Sequence, residues 1–394
     1  MRILPVLAAT LLLGAAPAEE LRLERVVLVM RHGVRPPTKA PAMAPGTAAN
    51  PWPSWEVPPG NLTMHGARAI AAIGGADRTV WRAAGLLPAS GCAPMRLVSS
   101  SSQRTIATAQ HYAAALQPGC SHEVEHKAEG ARDPRFAPID RGLEAMDSQA
   151  TQRAVLAAAG PGGLAGVEAR LRPALARLDA ILCNGAPRPC GVGDEPSGLE
   201  VEADARPKLT GALDRASTAA HILLLEYADA KPLAEVGWGR ASAADIERLG
   251  VFHATEFALL ARPRYLAARN LAGLMPLIRE ALTDPKATTV TLISGHDTNV
   301  ANLAGLLDLH WQIPGFAADD PTPGGAIILE RLRDTRGRRY VRASYRSQTL
   351  EGIRAASGTV VRQPLALPGC AARGVSGLCE AAAFEALLRA RLKG

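Results

Sequence analysis

The stretch VVLVMRHGVRPPTK, residues 26 to 39, joins five apolar residues directly to a segment rich in positive charge. Continuous apolar runs of this kind are typical of strands that are buried on both faces of a parallel sheet. The cations that follow, Arg31, Arg35 and Lys39, stand so close together that they repel one another. We therefore expect an anion to bind where this strand ends.

A second stretch, KATTVTLISGHDTNVANLAGLL at residues 286–307, repeats the arrangement. Its β-branched strand ends in His296 and Asp297, and a helix is predicted to follow. A third predicted strand, residues 95–101, ends in small polar residues and precedes a helix that carries Arg104. Ligands of open α/β sheets bind beyond the carboxyl ends of the strands, so these three strand ends are expected to share one site.

Strands that alternate with helices at both ends of the chain predict an α/β fold. Residues 19–145 and 262–394 are expected to form a large α/β sandwich domain that carries the catalytic residues. The stretch between them, residues 146–261, has helical patterns and little strand signal, so we expect a smaller inserted α-helical domain. Late strands are predicted at 326–332 and 338–349, with a turn between them.

The first 18 residues have the features of a secretory signal peptide. Arg2 precedes an apolar run from Ile3 to Leu13, and a small-residue motif, Ala16-Pro17-Ala18, follows. The apolar run is shorter than a membrane-spanning helix requires. We therefore expect a periplasmic or secreted protein with no membrane partner.

Cysteine usage agrees with export. The sequence leaves the connectivity of the six cysteines open, although their spacing favours pairs between neighbours. Disulfides indicate an oxidising compartment. No cysteine stands near a histidine at the spacing of a zinc site, and we expect no metal. The favoured pairs are Cys92–Cys120, Cys183–Cys190 and Cys370–Cys379.

The net charge of +7 favours an anionic partner such as a phosphate ester, a nucleic acid or an acidic surface. A nucleic-acid binder needs basic residues interleaved with aromatic ones along an extended surface. Aromatic residues make up only 4% of this chain, and its candidate arginines stand at separate strand ends. We therefore expect a small anionic molecule, and no nucleic acid, as the partner.

The residue types at the strand ends fit phosphoryl transfer. Arginines such as Arg31 and Arg35 offer planar, permanently charged forks that suit phosphate oxygens. His32 can act as a nucleophile towards phosphorus, and Asp297 can serve as a proton donor. Phosphoryl transfer needs positioning, positive charge around the equatorial oxygens and a proton for the leaving oxygen. These residue types supply all three.

Two motifs identify a resemblance to a known family. RHGVRPPTK fits the RHGxRxP motif of the histidine acid phosphatases, and SGHDTN resembles the family's second motif, which contains HD. The similarity covers nearly the whole mature chain and is most like the bacterial periplasmic phytases and glucose-1-phosphatases. Supporting stretches are QRTIATAQ, GWGR at 237–240 and PTPGGAIILER. The resemblance implies the histidine phosphatase fold, in which an α/β domain contains an inserted α-helical domain.

The resemblance also implies a role for each motif residue. His32 is expected to be the nucleophile that becomes phosphohistidine, and Asp297 is expected to protonate the leaving alcohol. The resemblance implies neither a cofactor nor a metal, and we expect a monomer. Four residues are expected to hold the phosphate: Arg31, Arg35, Arg104 and His296.

The expected substrate is a phosphomonoester, and the residues favour phytate. Thr38 and Lys39 complete a phytase-like form of the first motif, and Lys39 is placed to meet a second phosphate group. His253 is expected to line the substrate pocket, but core packing explains it almost as well. The serine run SSSSQRT instead resembles the glucose-1-phosphatases, so a sugar phosphatase or broad-specificity acid phosphatase is the alternative. A non-catalytic phosphate- or polyanion-binding protein is the alternative from another class.

Overall fold

The computed structural model describes most of the chain, and the predicted signal peptide lies outside the described part. The described residues are 20–139, 144–187, 189–193, 195–373, 375 and 377–393. They form ten strands: β1 (Arg22–Arg31), β2 (Met95–Ser99), β3 (Val124–Glu125), β4 (Gly198–Glu200), β5 (Lys208–Thr210), β6 (Val290–Gly295), β7 (Ala326–Arg333), β8 (Arg339–Ser347), β9 (Val361–Leu365) and β10 (Leu378–Glu380).

The helices of the described residues lie between and after these strands. They are α1 (Met64–Ala83), α2 (Gln103–Leu116), α3 (Ser148–Ala159), α4 (Gly163–Cys183), α5 (Ala212–Ala228), α6 (Ala243–Leu260), α7 (Arg264–Asn270), α8 (Met275–Thr283), α9 (Asp297–Leu307), α10 (Leu350–Arg354) and α11 (Ala381–Leu392).

A mixed sheet of eight strands, with β1 near its middle, organises the fold. The strand order is β10-β8-β7-β1-β6-β2-β3, and β9 pairs with residues 343–347 of β8, on the same edge as β10. β1, β6, β2 and β3 run parallel to one another, whereas β7 runs antiparallel to β1. Arg31 pairs with Gly295, and Ser99 pairs with Ser294. The carboxyl ends of the three predicted strands therefore lie side by side, and the predicted α/β class is confirmed.

Helix α1 packs tightly against the loop that follows β1. A Cβ atom on Gly66 would lie 2.6 Å from the carbonyl oxygen of Val34, and one on Gly33 would lie 2.9 Å from Ile70. Real Cβ atoms essentially never approach other atoms this closely, so a larger residue at either position would force its neighbours to shift. The side chain of Thr63 caps α1 by accepting a hydrogen bond from the amide of Gly66. This close packing fixes the loop that carries His32.

The middle of the chain is mostly helical, but it differs in detail from the prediction. The helix predicted over 150–182 is two helices, because Gly160 has a φ of 73° between α3 and α4. The short strands β4 and β5 form an antiparallel ribbon, which the weak strand signal of this region did not predict. The division at 146–261 stays a prediction, since one hydrophobic core runs from the sheet into these helices.

The predicted disulfide pairing is confirmed. All six cysteines are paired with their neighbours along the chain, and the Cα atoms of the pairs lie between 5.2 and 5.9 Å apart. Among the described helices, we find none with the length and apolar character needed to cross a membrane.

Candidate active site

The carboxyl ends of β1, β2 and β6 bring the predicted residues together at one edge of the sheet. His32 directly follows β1, and Arg104 lies in the first turn of α2, just after β2. His296 and Asp297 stand where β6 gives way to α9. The ring centroids of His32 and His296 are 5.6 Å apart. Three motifs that are far apart in the sequence thus form one cluster.

His32 is buried and has one nitrogen free for chemistry. Its Nδ1 lies 2.8 Å from the carbonyl oxygen of Gly33. A carbonyl only accepts, so Nδ1 carries the proton and Nε2 presents its lone pair. Burial, together with the nearby Arg104, Arg35 and Arg31, lowers the pKa of His32 well below its usual value. The ring is therefore a neutral imidazole, the form that can act as a nucleophile.

Three guanidinium groups surround this histidine with incomplete hydrogen bonding. Arg31 donates to the carbonyl of Pro321, Arg35 to that of Pro36 at 2.9 Å, and Arg104 to that of Gly60 at 3.3 Å. The buried Nε atom of each arginine has no partner among the described residues. Burial and the neighbouring Arg104 lower the pKa of Arg35 to about 9. Unpaired donors and mutual repulsion both indicate that an anion belongs here.

His296 is bonded at both ring nitrogens. Its Nε2 lies 3.0 Å from the hydroxyl of Ser100, and its Nδ1 lies 3.4 Å from the guanidinium of Arg104. Since a guanidinium only donates, Nδ1 accepts and Nε2 carries the proton. Burial and the positive charge of Arg104 lower the pKa of His296 to about 3. His296 is therefore a neutral part of the arginine cluster.

Asp297 is the carboxylate of the cluster. Its Oδ2 lies 3.3 Å from Nη2 of Arg31 and 3.8 Å from Nε2 of His253. The amide of Thr298 donates to its Oδ1 at 2.9 Å. Three guanidinium charges against this one carboxylate leave a surplus of two positive charges, which matches the charge of a phosphate dianion.

A cavity of about 350 Å³ opens beside this cluster. Thr38 and Lys39 lie on its rim, and the buried His253 lies in its wall. The ring of His253 meets Phe257 edge-on, with centroids 4.6 Å apart. All three of these predicted residues therefore line one cavity. Arg35 and Asp297 also line it.

Four polar residues around this cavity were not among the predicted site residues. Ser217 and Glu256 are hydrogen-bonded to each other in its wall, where His221 also lies. Asp320 lies behind the wall, with its Oδ1 2.6 Å from Nδ1 of His253. Ser217 and His221 are four residues apart on α5, whose other residues are mostly buried and apolar. Polar positions on such a helix were the available signal, whereas no local pattern marked Asp320.

His221, His253 and Asp297 bring one potential metal-ligating atom each to within 4.8 Å of the others. The guanidinium of Arg31 already contacts two of them, since its Nη2 lies 2.6 Å from Nε2 of His221 and 3.3 Å from Asp297. A permanent cation at this position repels a metal ion. The arrangement therefore fits an arginine-bound carboxylate better than a metal centre.

Comparison with known proteins places this arrangement in a family. Residues 22–163 and 252–346 match the histidine phosphatase superfamily, branch 2. The chain belongs to this superfamily. The match to the histidine phosphatase family leaves out residues 164–251, which contain α5 and all but the first residue of α4.

Relatives of this histidine phosphatase include phytases and glucose-1-phosphatases. It is 34% identical to phytase AppA of Escherichia coli strain K12, over 94% of this chain and 92% of that protein. It is 27% identical to a glucose-1-phosphatase of Salmonella typhimurium strain LT2, over 98% of both. Among solved structures, the Hafnia alvei phytase in complex with myo-inositol hexakis sulphate superimposes with a TM-score of 0.88 and 31% identity, covering 95% of this chain and 98% of that one.

Proposed function

We propose that this chain hydrolyses phosphomonoesters through a phosphohistidine intermediate on His32. The observation that carries the proposal is a buried, neutral His32 beside three guanidinium groups; among the described residues, its Nε2 and the Nε atoms of the three arginines have no hydrogen-bond partner. A neutral imidazole supplies the nucleophile, and the arginines supply the charge that stabilises a transferring phosphoryl group. Membership of the histidine phosphatase superfamily supports the same reaction.

The roles follow from the position of each residue. Arg31, Arg35 and Arg104 hold the equatorial oxygens of the phosphoryl group, and His296 completes that shell. Asp297 lies at the junction between the arginines and the cavity, where the leaving alcohol must stand. It protonates the leaving oxygen and later accepts a proton from the water that cleaves phosphohistidine.

Phytate is the proposed preferred substrate. Lys39 brings a further positive charge to the rim of the cavity, outside the arginine cluster. A polyphosphorylated inositol presents a second phosphate group to such a cation, whereas a simple monoester does not. The likeness to phytase AppA and to the hexasulphate-bound Hafnia alvei phytase supports this choice.

A sugar phosphate is the second candidate, and one feature of the cavity favours it. Ser217 donates a hydrogen bond to Glu256 in the cavity wall. Burial raises the pKa of Glu256, so this wall offers hydroxyl and carboxyl groups that suit sugar hydroxyls. An acidic group on the wall is also a poor neighbour for a polyanion.

We further propose that residues 1–18 direct export to the periplasm or beyond, and that the mature protein works there as a monomer. The disulfides support an oxidising destination. Within the mature chain, we propose a helical inserted domain at 146–261 between the two parts of the α/β domain. In this stretch, the described residues contribute helices and the β4–β5 ribbon, but no strand of the main sheet.

Two variants test the reaction. His32→Ala is expected to lower kcat on p-nitrophenyl phosphate by about 10³-fold or more, because it removes the nucleophile. Asp297→Asn is expected to lower kcat/KM on an alkyl phosphate by about 10² to 10⁴-fold, because it removes the acid. Full activity in either variant contradicts the mechanism.

Absence of hydrolysis by the wild type, with phosphate still bound, favours the non-catalytic alternative. Wild-type kcat/KM on phytate and on glucose 1-phosphate decides between the two substrates.

A further inference from the structure

Asp297 is held as an anion in the resting site, although the proposed reaction requires it to donate a proton. Arg31 lies 3.3 Å from its Oδ2. Burial alone would raise the pKa of Asp297, but Arg31 and then His253 lower it well below its usual range. A free carboxylic acid is therefore a minor form here. The proton for the leaving oxygen must be held on a neighbouring group.

His253 is the neighbour whose contacts fit this task. Its Nδ1 lies 2.6 Å from Oδ1 of Asp320, and its Nε2 lies 3.8 Å from Oδ2 of Asp297. Carboxylates only accept hydrogen bonds, so an imidazolium can direct one N–H at each of them. Burial alone would lower the pKa of His253, but Asp320 and then Asp297 raise it to about 9. The proton shared by this group of residues therefore resides on His253.

Asp320 is placed to support His253 from behind. It is 1% exposed, and its backbone carbonyl accepts a hydrogen bond from the indole of Trp311 at 3.0 Å. Its Oδ2 has no hydrogen-bond partner within the described part of the chain. The next carbonyl, that of Pro321, accepts from Arg31. The loop that contains Asp320 and Pro321 thus fixes both the carboxylate of Asp320 behind His253 and the guanidinium of Arg31 beside Asp297.

We propose that His253, held by Asp320, is a positioning residue that stores the proton which Asp297 passes to the leaving oxygen. This inference rests on the proposed phosphohistidine reaction. A bound phosphate group competes with Asp297 for Arg31, and the carboxylate then gains affinity for a proton. The 3.8 Å gap between His253 and Asp297 closes to about 2.8 Å for the transfer. Catalytic hydrogen bonds often tighten in this way when substrate binds.

The proton balance closes over one turnover. In the first step, Nε2 of His32 bonds to phosphorus, the P–O bond breaks, and its electron pair stays on the leaving oxygen. That oxygen takes a proton from Asp297, which takes one from Nε2 of His253. His253 becomes a neutral imidazole that still donates Nδ1–H to Asp320. In the second step, a water oxygen bonds to phosphorus while the P–Nε2 bond breaks, and its electron pair returns to His32. The proton of the attacking water passes through Asp297 to His253, which restores the imidazolium.

The other groups that face His253 determine how its proton affinity responds to mutation. The ring of His221 on α5 lies next to that of His253, with centroids 4.3 Å apart and the ring planes tilted by 40°, and burial and His253 lower the pKa of His221. Arg31 of β1 opposes protonation of His253, whereas Asp297 of α9 favours it. Glu256 lies on the next turn of α6, and burial raises its pKa. Asp320 is the largest favourable influence, so its removal should lower the pKa of His253.

Aryl phosphates with different leaving groups provide the test. The 2,4-dinitrophenolate anion is a weak base and departs without being protonated. The phenolate anion is a much stronger base, so its departure depends far more on a proton donor. The value of kcat/KM reports all steps up to and including departure of the leaving group. Asp320→Asn is expected to lower kcat/KM on phenyl phosphate by about tenfold, and His253→Gln by about 100-fold. On 2,4-dinitrophenyl phosphate, both variants are expected to stay within about threefold of the wild type. His310→Gln, which changes an exposed histidine paired with Asp319, is the control and should affect neither ester.

The pH profile separates a proton-holding role from a structural one. Asparagine keeps the size of Asp320 and can still accept from Nδ1, but it removes the charge that favours the imidazolium. The alkaline limb of kcat/KM on phenyl phosphate is therefore expected at lower pH in Asp320→Asn than in the wild type. The inference is overturned if the variants lose equal amounts of kcat/KM on both esters or lose none on either. It is also overturned if the alkaline limb of the pH profile is at the same pH in Asp320→Asn and in the wild type. A wild type that hydrolyses neither ester refutes the proposed function instead.

Discussion

Lys39 is the residue most suited to testing the preference for phytate. It is exposed at the cavity rim, so it can contact a second phosphate group without taking part in the reaction. Lys39→Ala is expected to raise KM for phytate about two- to fivefold, the effect of one exposed ion pair. KM for p-nitrophenyl phosphate should change by less than about twofold. Steady-state kinetics at low salt measure both values.

Lys286→Ala is the matched control, because Lys286 is also exposed but precedes β6 at the opposite end of that strand. It should leave both KM values unchanged. Equal increases in KM for the two substrates in Lys39→Ala would place Lys39 near the reacting phosphate rather than at a second one. The sugar-phosphate candidate would then gain support.

Individual residues of the site differ in how far the sequence could identify them. His32, Arg35 and Asp297 stand in short motifs directly after predicted strands. Ligands of open α/β sheets bind beyond the carboxyl ends of the strands, so the sequence predicted that these residues share one site. Asp320 could not be found in this way. It meets His253 across 67 residues of sequence, and only the folded chain brings the two together.

Elements with strong local patterns were predicted well, and elements that depend on partners were not. Helix α2 spans the predicted residues 103–116, and β7 and β8 lie where the late strands were expected. The ribbon of β4 and β5 has only three residues in each strand, too few to show a period. Strand β9 contains Pro364 and pairs with β8 alone. These short strands exist because a neighbour offers hydrogen bonds.

Glu226 of α5 makes the free energy of unfolding depend on pH. It is buried, and one carboxylate oxygen accepts from the amide of Gly237 at 3.0 Å, in the turn Val236–Gly239. Burial raises its pKa to about 7 from 4.5. The folded state therefore holds a proton that the unfolded state has already lost between pH 4.5 and pH 7. Its contribution to stability is full below pH 4.5 and is lost as pH rises to about 7.

Glu226→Gln should remove this pH dependence, since glutamine keeps the acceptor for Gly237 and never ionises. Relative to the wild type, the variant is expected to gain up to about 3 kcal/mol in the free energy of unfolding between pH 4.5 and pH 7.5. Urea unfolding at several pH values measures the difference. The exposed Glu247→Gln on α6 is the control. A difference between Glu226→Gln and wild type that stays constant with pH would contradict the buried-acid account.

At the scale of the whole molecule, the site lies between two parts of the chain. The sheet edge supplies the residues that we propose hold phosphate, and α5 and α6 supply the opposite wall with His221, His253 and Glu256. The family match covers the sheet strands β1, β2, β6 and β7 but omits α5. The arginines, His32 and Asp297 therefore lie in the part of the chain that the family match covers, as do His253 and Glu256, whereas His221 lies outside it.

The disulfide Cys92–Cys120 stabilises the part of the fold that carries Arg104. Its two cysteines are 28 residues apart and enclose β2 and α2. Closing a loop of this length lowers the entropy of the unfolded chain, which stabilises the folded state by about 3 to 4 kcal/mol. The Cys92→Ala, Cys120→Ala double variant is expected to lose about that much in urea unfolding. Its kcat/KM should be unchanged in the absence of urea, because the linkage acts mainly on the unfolded state.

Reduced wild type, which lacks all three linkages, should lose more stability than the double variant. A double variant as stable as the wild type would contradict this account, whereas one with normal stability and low activity would mean that the linkage positions Arg104 directly.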